Sequence, residues 1–304
     1  MSPKNKLRAL VFLAAAALVV IVHYLMTAHI DVLSPAGIIG QKERNLMLIA
    51  TLLCLAVVIP VFILTAYIAW TYRESNKNAK YSPSWDHNFK LEFTWWAIPL
   101  AIITVLAVIT WRSSHELDPF KTLSSAQPPL SVQVIALQWK WLFIYPEQNI
   151  ATVNYLQLPL NRPVNFEITS DAPMNSFWIP KLGGQIYAMS GMSTQLHLMA
   201  SQTGEFSGSS ANISGRGFAG MRFMAKVSSQ ADFNQWAANV KHMPDGLSLA
   251  EYNQLSQPSE NNPVAVYSSS TNGLFHDVMM KYMAPGSQLA AQSYGLAGLE
   301  QHVH

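Results

Sequence analysis

Long apolar runs occupy the first third of the chain, and short alternating runs follow. The first apolar run covers about residues 9–28, behind Lys4, Lys6 and Arg8, and only His23 in it could carry charge near neutrality. A short basic segment before such a run reads as a cleaved signal peptide or as a retained anchor, and both remain open. His29 follows Leu25-Met26-Thr27-Ala28 where a lipoprotein signal would have its lipidated cysteine, so lipid attachment there is excluded. The second run, Leu46 to Trp70, has no charge and contains Pro60; the third, Phe93 to Trp111, contains Pro99. Each is long enough to cross a bilayer, which takes about 20 residues. Trp70, Tyr72, Trp95, Trp96 and Trp111 sit near the ends of these runs, as interfacial aromatics do. Arg73, Lys77, Lys80 and Lys90 crowd the loop between them. By the positive-inside rule that loop is cytoplasmic, and everything after Arg112 lies outside.

From Leu130 the period becomes two. Ser131 to Trp139 alternates, and Trp141, Phe143 and Tyr145 continue the pattern, so Trp139 and Trp141 are expected on one side of a strand, as core or interface residues. Ala151–Leu158, Pro163–Thr169, Gly184–Met189, Ser193–Met199 and Gly220–Val227 are further strand candidates. Turn residues such as Asn161-Arg162-Pro163 and Gly215-Arg216-Gly217 separate them, which argues for a β-sandwich or barrel. After Ser229 the pattern turns helical: Phe233, Trp236, Ala237 and Val240 make one apolar face, and Pro244 ends it. Leu247–Leu255 and Leu274–Met283 are shorter helical candidates, and the last 20 or so residues read as a frayed terminus. The expected fold is therefore a membrane-anchored α+β chain. Its parts are a signal or anchor over 1–28, a transmembrane helical hairpin over 29–115, a β-domain over 125–228, a helical extension over 229–285 and a flexible tail over 286–304.

Composition narrows the function. Charged residues make up 12% of the 304, against roughly 25% in soluble domains, and half the chain is apolar. The net charge of +2 gives no clustered basic face for a nucleic acid. A single cysteine, Cys54, lies in the second apolar run, which rules out an internal disulfide and any cysteine-rich metal site. His87, His115, His197, His242 and His276 have no ligand spacing and read as surface or structural residues. The thirteen methionines are scattered, as gap-filling or lipid-facing residues would be.

Several separated segments resemble subunit II of haem–copper respiratory oxidases, in order and over about residues 37–283. They are Gln138-Trp-Lys-Trp-Leu-Phe-Ile-Tyr145, Met174-Asn-Ser-Phe-Trp-Ile-Pro-Lys-Leu-Gly-Gly184 and Gly215-Arg-Gly-Phe-Ala-Gly-Met221. Leu33-Ser-Pro-Ala-Gly37, Lys80-Tyr-Ser-Pro83, Phe143-Ile-Tyr-Pro-Glu-Gln148 and Gln185-Ile-Tyr-Ala-Met189 resemble the bo-type ubiquinol oxidase branch. The resemblance implies a cupredoxin-like fold for the β-domain. In the cytochrome c oxidases of the family this domain holds two copper ions through two Cys, two His, a Met and a backbone carbonyl, soft sulfur and imidazole donors that suit copper. Aligned on Met221, the Cys positions are Ser210 and Ser214, the loop His is Phe218, the upstream His is Asn175 and the carbonyl donor is Asn212. Met221 alone is kept, and is expected to pack rather than ligate.

The resemblance therefore implies a non-redox subunit II of a proton-translocating ubiquinol oxidase in a bacterial inner membrane, with its β-domain in the periplasm. No cofactor is expected on this chain. Haems, copper and ubiquinol are expected on subunit I, its main partner, within a complex that also has subunits III and IV, surrounded by lipid and not fed by cytochrome c. Glu92, in Lys90-Leu-Glu-Phe-Thr-Trp-Trp-Ala-Ile-Pro99, matches a family glutamate at the mouth of a proton-uptake pathway; it can equally be a carboxylate favoured by a helix N-terminus. The rival readings are a subunit of a menaquinol oxidase, an electron-transfer metalloprotein, which the missing thiolates oppose, and a membrane-tethered periplasmic binding module.

Overall fold

The computed structural model describes residues 30–80, 82 and 85–283, with a few isolated positions between 16 and 24. Apart from those few positions, the expected signal or anchor over 1–28 lies outside the described residues, as does the tail over 286–304. The chain divides into two compact units, Lys42–Lys121 and the remainder.

The first unit is built from two helices, α1 (Ile38–Thr71, whose first turn belongs to the other unit) and α2 (Phe89–Glu116). At 1.5 Å per residue they are about 50 and 40 Å long, more than the roughly 30 Å of a bilayer core. Their apolar side chains point outward: Phe62, Ile63, Trp96, Leu100 and Ile103 are all more than half exposed. A helix with no buried face needs an apolar solvent or a partner. Three threonine hydroxyls inside the apolar runs are satisfied locally. Thr51, Thr65 and Thr104 donate to the carbonyls of Met47, Val61 and Leu100, four residues back, at 2.7–2.8 Å. Such bonds spare these three hydroxyls the cost of an unpaired donor in lipid. At one end of the hairpin Lys42 Nζ reaches Glu116 Oε1 at 2.5 Å.

The second unit is a sandwich of two mixed sheets. Sheet one runs β11-β3-β2-β1-β5-β8, and sheet two runs β4-β10-β9-β6-β7. Their ranges are β1 Leu130–Leu137, β2 Lys140–Tyr145, β3 Ile150–Val153, β4 Tyr155–Pro159, β5 Val164–Ser170, β6 Asn175–Trp178, β7 Gln185–Ala188, β8 Thr194–Leu198, β9 Gly204–Ser210, β10 Arg222–Ser228 and β11 Ala265–Tyr267. β1 lies parallel to β5, β10 lies parallel to β4, and the remaining pairs are antiparallel.

Both faces of β2 are covered. Trp141, Phe143 and Tyr145 point into the sandwich, where Trp141 meets Phe177 edge-on at 5.4 Å and Phe177 stacks on Phe223 at 5.3 Å. Leu142 and Ile144 point the other way, into a second core with Ile135, Leu137, Leu247, Tyr252, Leu274, Phe275 and Val278. The C-terminal extension supplies that second layer through α4 (Leu249–Leu255) and α5 (Leu274–Lys281), while α3 (Gln230–Lys241) packs against Tyr145 and Tyr155. Ser229 caps α3, and Ser248 with Glu251 forms a capping box on α4. The apolar face expected on α3 packs as read: Phe233, Ala237 and Val240 are buried, and Trp236 lies 5.4 Å from Tyr145.

Some elements differ from the sequence reading. The single strand expected over Ala151–Leu158 is two strands in different sheets. Asn154, with φ 55, turns the chain between them, and its side chain accepts from Trp141 N at 2.9 Å. Trp139 does not share a strand face with Trp141. It occupies the two-residue turn between β1 and β2 with φ 63, in the left-handed region. Strands β6, β9 and β11 carried no clear alternation, and β11 brings the extension into sheet one.

Candidate functional site

Two places carry the expected chemistry. The first is the end of β6 and β9 with the loop that follows. β6 and β9 pair through Phe177–Ser210 and Trp178–Ser209, which brings Asn175 beside Ser210. The Ser210 hydroxyl lies 3.1 Å from both Asn175 Oδ1 and Asn212 O, its two candidate acceptors. Its oxygen accepts from the amides of Asn212 and Ser176 at 3.4 Å. Asn175 Nδ2 donates to Pro173 O at 2.7 Å and Asn212 Nδ2 to Met174 O at 2.9 Å. Asn175 and Ser210 are buried.

Ser214 presents its carbonyl to Trp139 Nε1 at 3.1 Å, and its hydroxyl is buried without a partner. Phe218 opens a single 3-10 turn whose carbonyl accepts from Met221 N at 3.0 Å. Met221 is fully buried. Asn175, Ser210 and Asn212 thus form one hydrogen-bonded cluster. The set offers amides, neutral hydroxyls and one thioether, with no thiolate and no imidazole. Among the described residues no group of three or more His, Cys, Asp or Glu is placed to hold a metal ion.

The second place is the first turn of α2. Asn88 caps the helix by accepting from Leu91 N at 3.2 Å, and Glu92 Oε1 accepts from Asn88 N at 3.2 Å. The same carboxylate oxygen contacts Nδ1 of His87. His87 is largely exposed and Glu92 about one-third exposed, so the pair sits at a water-accessible helix end. Of the other histidines, His115 bonds to Trp111 O at 2.7 Å, while His197 is buried in β8 beside Asn165 of β5.

A third cluster escaped sequence reading. Asp171, at the end of β5, has a buried side chain that accepts from Tyr252 Oη at 2.6 Å, Tyr282 Oη at 2.5 Å and Lys281 Nζ at 2.8 Å. Burial first, and the nearby Asp171 charge second, push the Tyr252 phenol far above its ordinary range. Burial and the bond to Asp171 raise Tyr282 as well. Tyr145, buried and exchanging hydrogen bonds with the backbone of Gln157, is raised chiefly by burial, which outweighs the opposing bond to Gln157. The donors come from 81 to 111 residues downstream, a separation that no local motif encodes.

A family model described as "Cytochrome C oxidase subunit II, periplasmic domain" matches residues 147–228, and one described as "COX Aromatic Rich Motif" matches residues 241–286. Cytochrome bo(3) ubiquinol oxidase subunit 2 of Pseudomonas putida is 56% identical over 250 residues, covering 82% of this chain and 80% of the relative. The same subunit of Pseudomonas aeruginosa is 49% identical over 267 residues, covering 88% and 81%. Quinol oxidase subunit 2 of Bacillus cereus is 36% identical over 228 residues, covering 75% and 78%. The chain belongs to the ubiquinol oxidase subunit 2 family.

In this member of the family the sandwich is the cupredoxin-like domain, and the two apolar helices make it a membrane-anchored protein. The aromatic-rich match coincides with α4, β11 and α5, the layer that covers the outer face of β1 to β3.

Proposed function

We propose that this chain is the non-redox subunit II of a ubiquinol oxidase that couples ubiquinol oxidation and oxygen reduction to proton translocation in a bacterial inner membrane. The shared identity with named ubiquinol oxidase subunits over four-fifths of both chains carries the reading. The weaker match to a subunit named only for quinol makes a menaquinol oxidase the less supported alternative. In this reading α1 and α2 anchor the chain against subunit I, which carries the haems, the copper and the quinol, with subunits III and IV completing the complex. The sandwich stands in the periplasm.

The loop after β9 binds no dinuclear copper in this reading. Ser210 and Ser214 cannot supply thiolates and Phe218 cannot supply imidazole, and Ser210 already bonds to Asn175 and Asn212. Electrons then enter from quinol in the membrane rather than from cytochrome c. Glu92 serves as the proton entrance. A carboxylate at a helix end collects protons from water, and the exposed imidazole of His87 touches it there.

The test is on the intact complex. The tagged chain, purified in mild detergent, should carry haem with it and support oxygen uptake with ubiquinol but not with reduced cytochrome c. Uptake with cytochrome c would overturn the electron route, and absence of haem would overturn the assignment to an oxidase. Glu92→Ala should slow turnover and proton uptake several-fold while the complex still assembles. Unchanged turnover would leave Glu92 as a helix cap only.

A further inference from the structure

The loop over 211–220 has little backbone support of its own. Ala211 N bonds to Ser176 O at 3.0 Å, and short-range turn bonds join Gly215 to Phe218 and Gly217 to Gly220. Asn212 is tied at the start of the loop to Ser210 and Met174, and the rest of the loop is supported from further away. The Trp139 indole lies across Gly215 and Gly217, and a β-carbon on Gly217 would collide with the ring. Arg216 Nε donates to Glu260 Oε1 at 2.6 Å. Gly220 abuts the Asn261 side chain so closely that a β-carbon there would strike its amide oxygen.

Glu260 and Asn261 belong to the segment between α4 and β11, and that segment is itself fixed to the hairpin that carries Trp139. Lys140 is 1% exposed and forms no ion pair among the described residues; its ammonium donates to Gln257 O at 2.8 Å and to Ser259 Oγ. A buried charge is tolerable only where such oxygens replace water. Asn154 Nδ2 donates to Asn262 O at 3.0 Å while its Oδ1 holds Trp141 N. Ser259 and Asn262 close the segment on itself through two bonds of 2.8 Å. Both flanks are anchored, by buried Tyr252 in α4 and by the pairing of β11 with β3.

We propose that residues 257–262 form a strap through which the C-terminal extension holds the loop over 211–220 in one conformation. The strap grips the turn between β1 and β2 on one side and the loop on the other. Trp139 lies between them. The conformation of a surface loop bearing Ile213, 80% exposed, is thereby set by a segment more than forty residues further along the chain.

The test is amide hydrogen exchange on the full chain purified from membranes. In the double variant Glu260→Gln, Asn261→Gly, whose glycine keeps the left-handed backbone found at Asn261, amides over 211–220 should exchange at least tenfold faster. Those of β9 and β10 should be unchanged. In the reciprocal variant Gly220→Ala the added methyl displaces Asn261, and amides over 257–262 should exchange faster. Loop exchange equal to the parent in the first variant, or strap exchange equal to the parent in the second, overturns the proposal. Faster exchange throughout β1 and β2 also overturns it, because the segment would then be part of the general core. If the double variant fails to accumulate, Gly220→Ala alone decides.

Discussion

Two buried polar clusters in the β-domain hold their neighbours by different means. Asp171 gathers two phenols and an ammonium around one carboxylate, with bonds of 2.5 to 2.8 Å. Asn175, Ser210 and Asn212 share neutral bonds of 3.1 to 3.4 Å. Charge-assisted bonds are roughly twice as strong as neutral ones, and they fail harder when one partner is removed. The first cluster joins β5 to the C-terminal helices, parts of the chain far apart in sequence. The second sits inside a sheet that strand pairing already secures. Strong polar chemistry is placed where no backbone ladder exists, and weak polar chemistry where one does.

The largest effect should follow from breaking the charged cluster. Asp171→Ala leaves the Tyr252 and Tyr282 hydroxyls and the part-exposed Lys281 ammonium without their acceptor, and should cost about 2–3 kcal/mol in denaturant unfolding. Asp171→Asn keeps a neutral acceptor and should cost less. A loss below about 1 kcal/mol in the alanine variant would erase the contrast.

Alkaline pH should attack the same cluster next. The phenols of Tyr252 and Tyr282 in that cluster, and of Tyr145 outside it, are raised in the folded state, so above about pH 10 the unfolded chain loses their protons first. The folded state then binds more protons, and stability falls as pH rises past that point. Below it these groups should add no pH dependence. Unfolding midpoints between pH 8 and 11 should show the fall, and Tyr252→Phe should flatten it.

The neutral cluster should respond less. Ser210→Ala is expected to cost about 1 kcal/mol, the net worth of an ordinary hydrogen bond, read from the same unfolding curves. The smallest expected effect is none: copper added to the purified chain should produce no sulfur-to-copper absorption band and no shift in unfolding midpoint. A tight copper signal would show that the neutral cluster can be displaced by a metal.

The sequence exposes what is local and periodic. Trp141, Phe143 and Tyr145 alternate and are buried on one face as read, and α3 presents the expected apolar stripe. Asn175 and Ser210, two positions singled out by the copper-ligand alignment, lie in hydrogen-bond contact. What stayed hidden has physical reasons. β9 reads Gly-Glu-Phe-Ser-Gly-Ser-Ser, poor in strand-forming residues, and it is a strand because β10 and β6 pair with it. Two apolar residues of β2, Leu142 and Ile144, face a layer that arrives more than a hundred residues later, so the strand reads as a continuous apolar run. Asp171 resembles any turn aspartate until α4 and α5 fold over it.

The three residues of β11 bear on the order of events during synthesis. β3 is made by residue 153, yet the strand that covers its outer edge ends at Tyr267. At ribosomal rates of roughly 5–20 residues per second, that edge stays bare for on the order of ten seconds. An uncovered strand edge is a template for the wrong neighbour. The nascent domain therefore passes through an interval in which a chaperone, or another copy of the same chain, competes for the place that β11 will take.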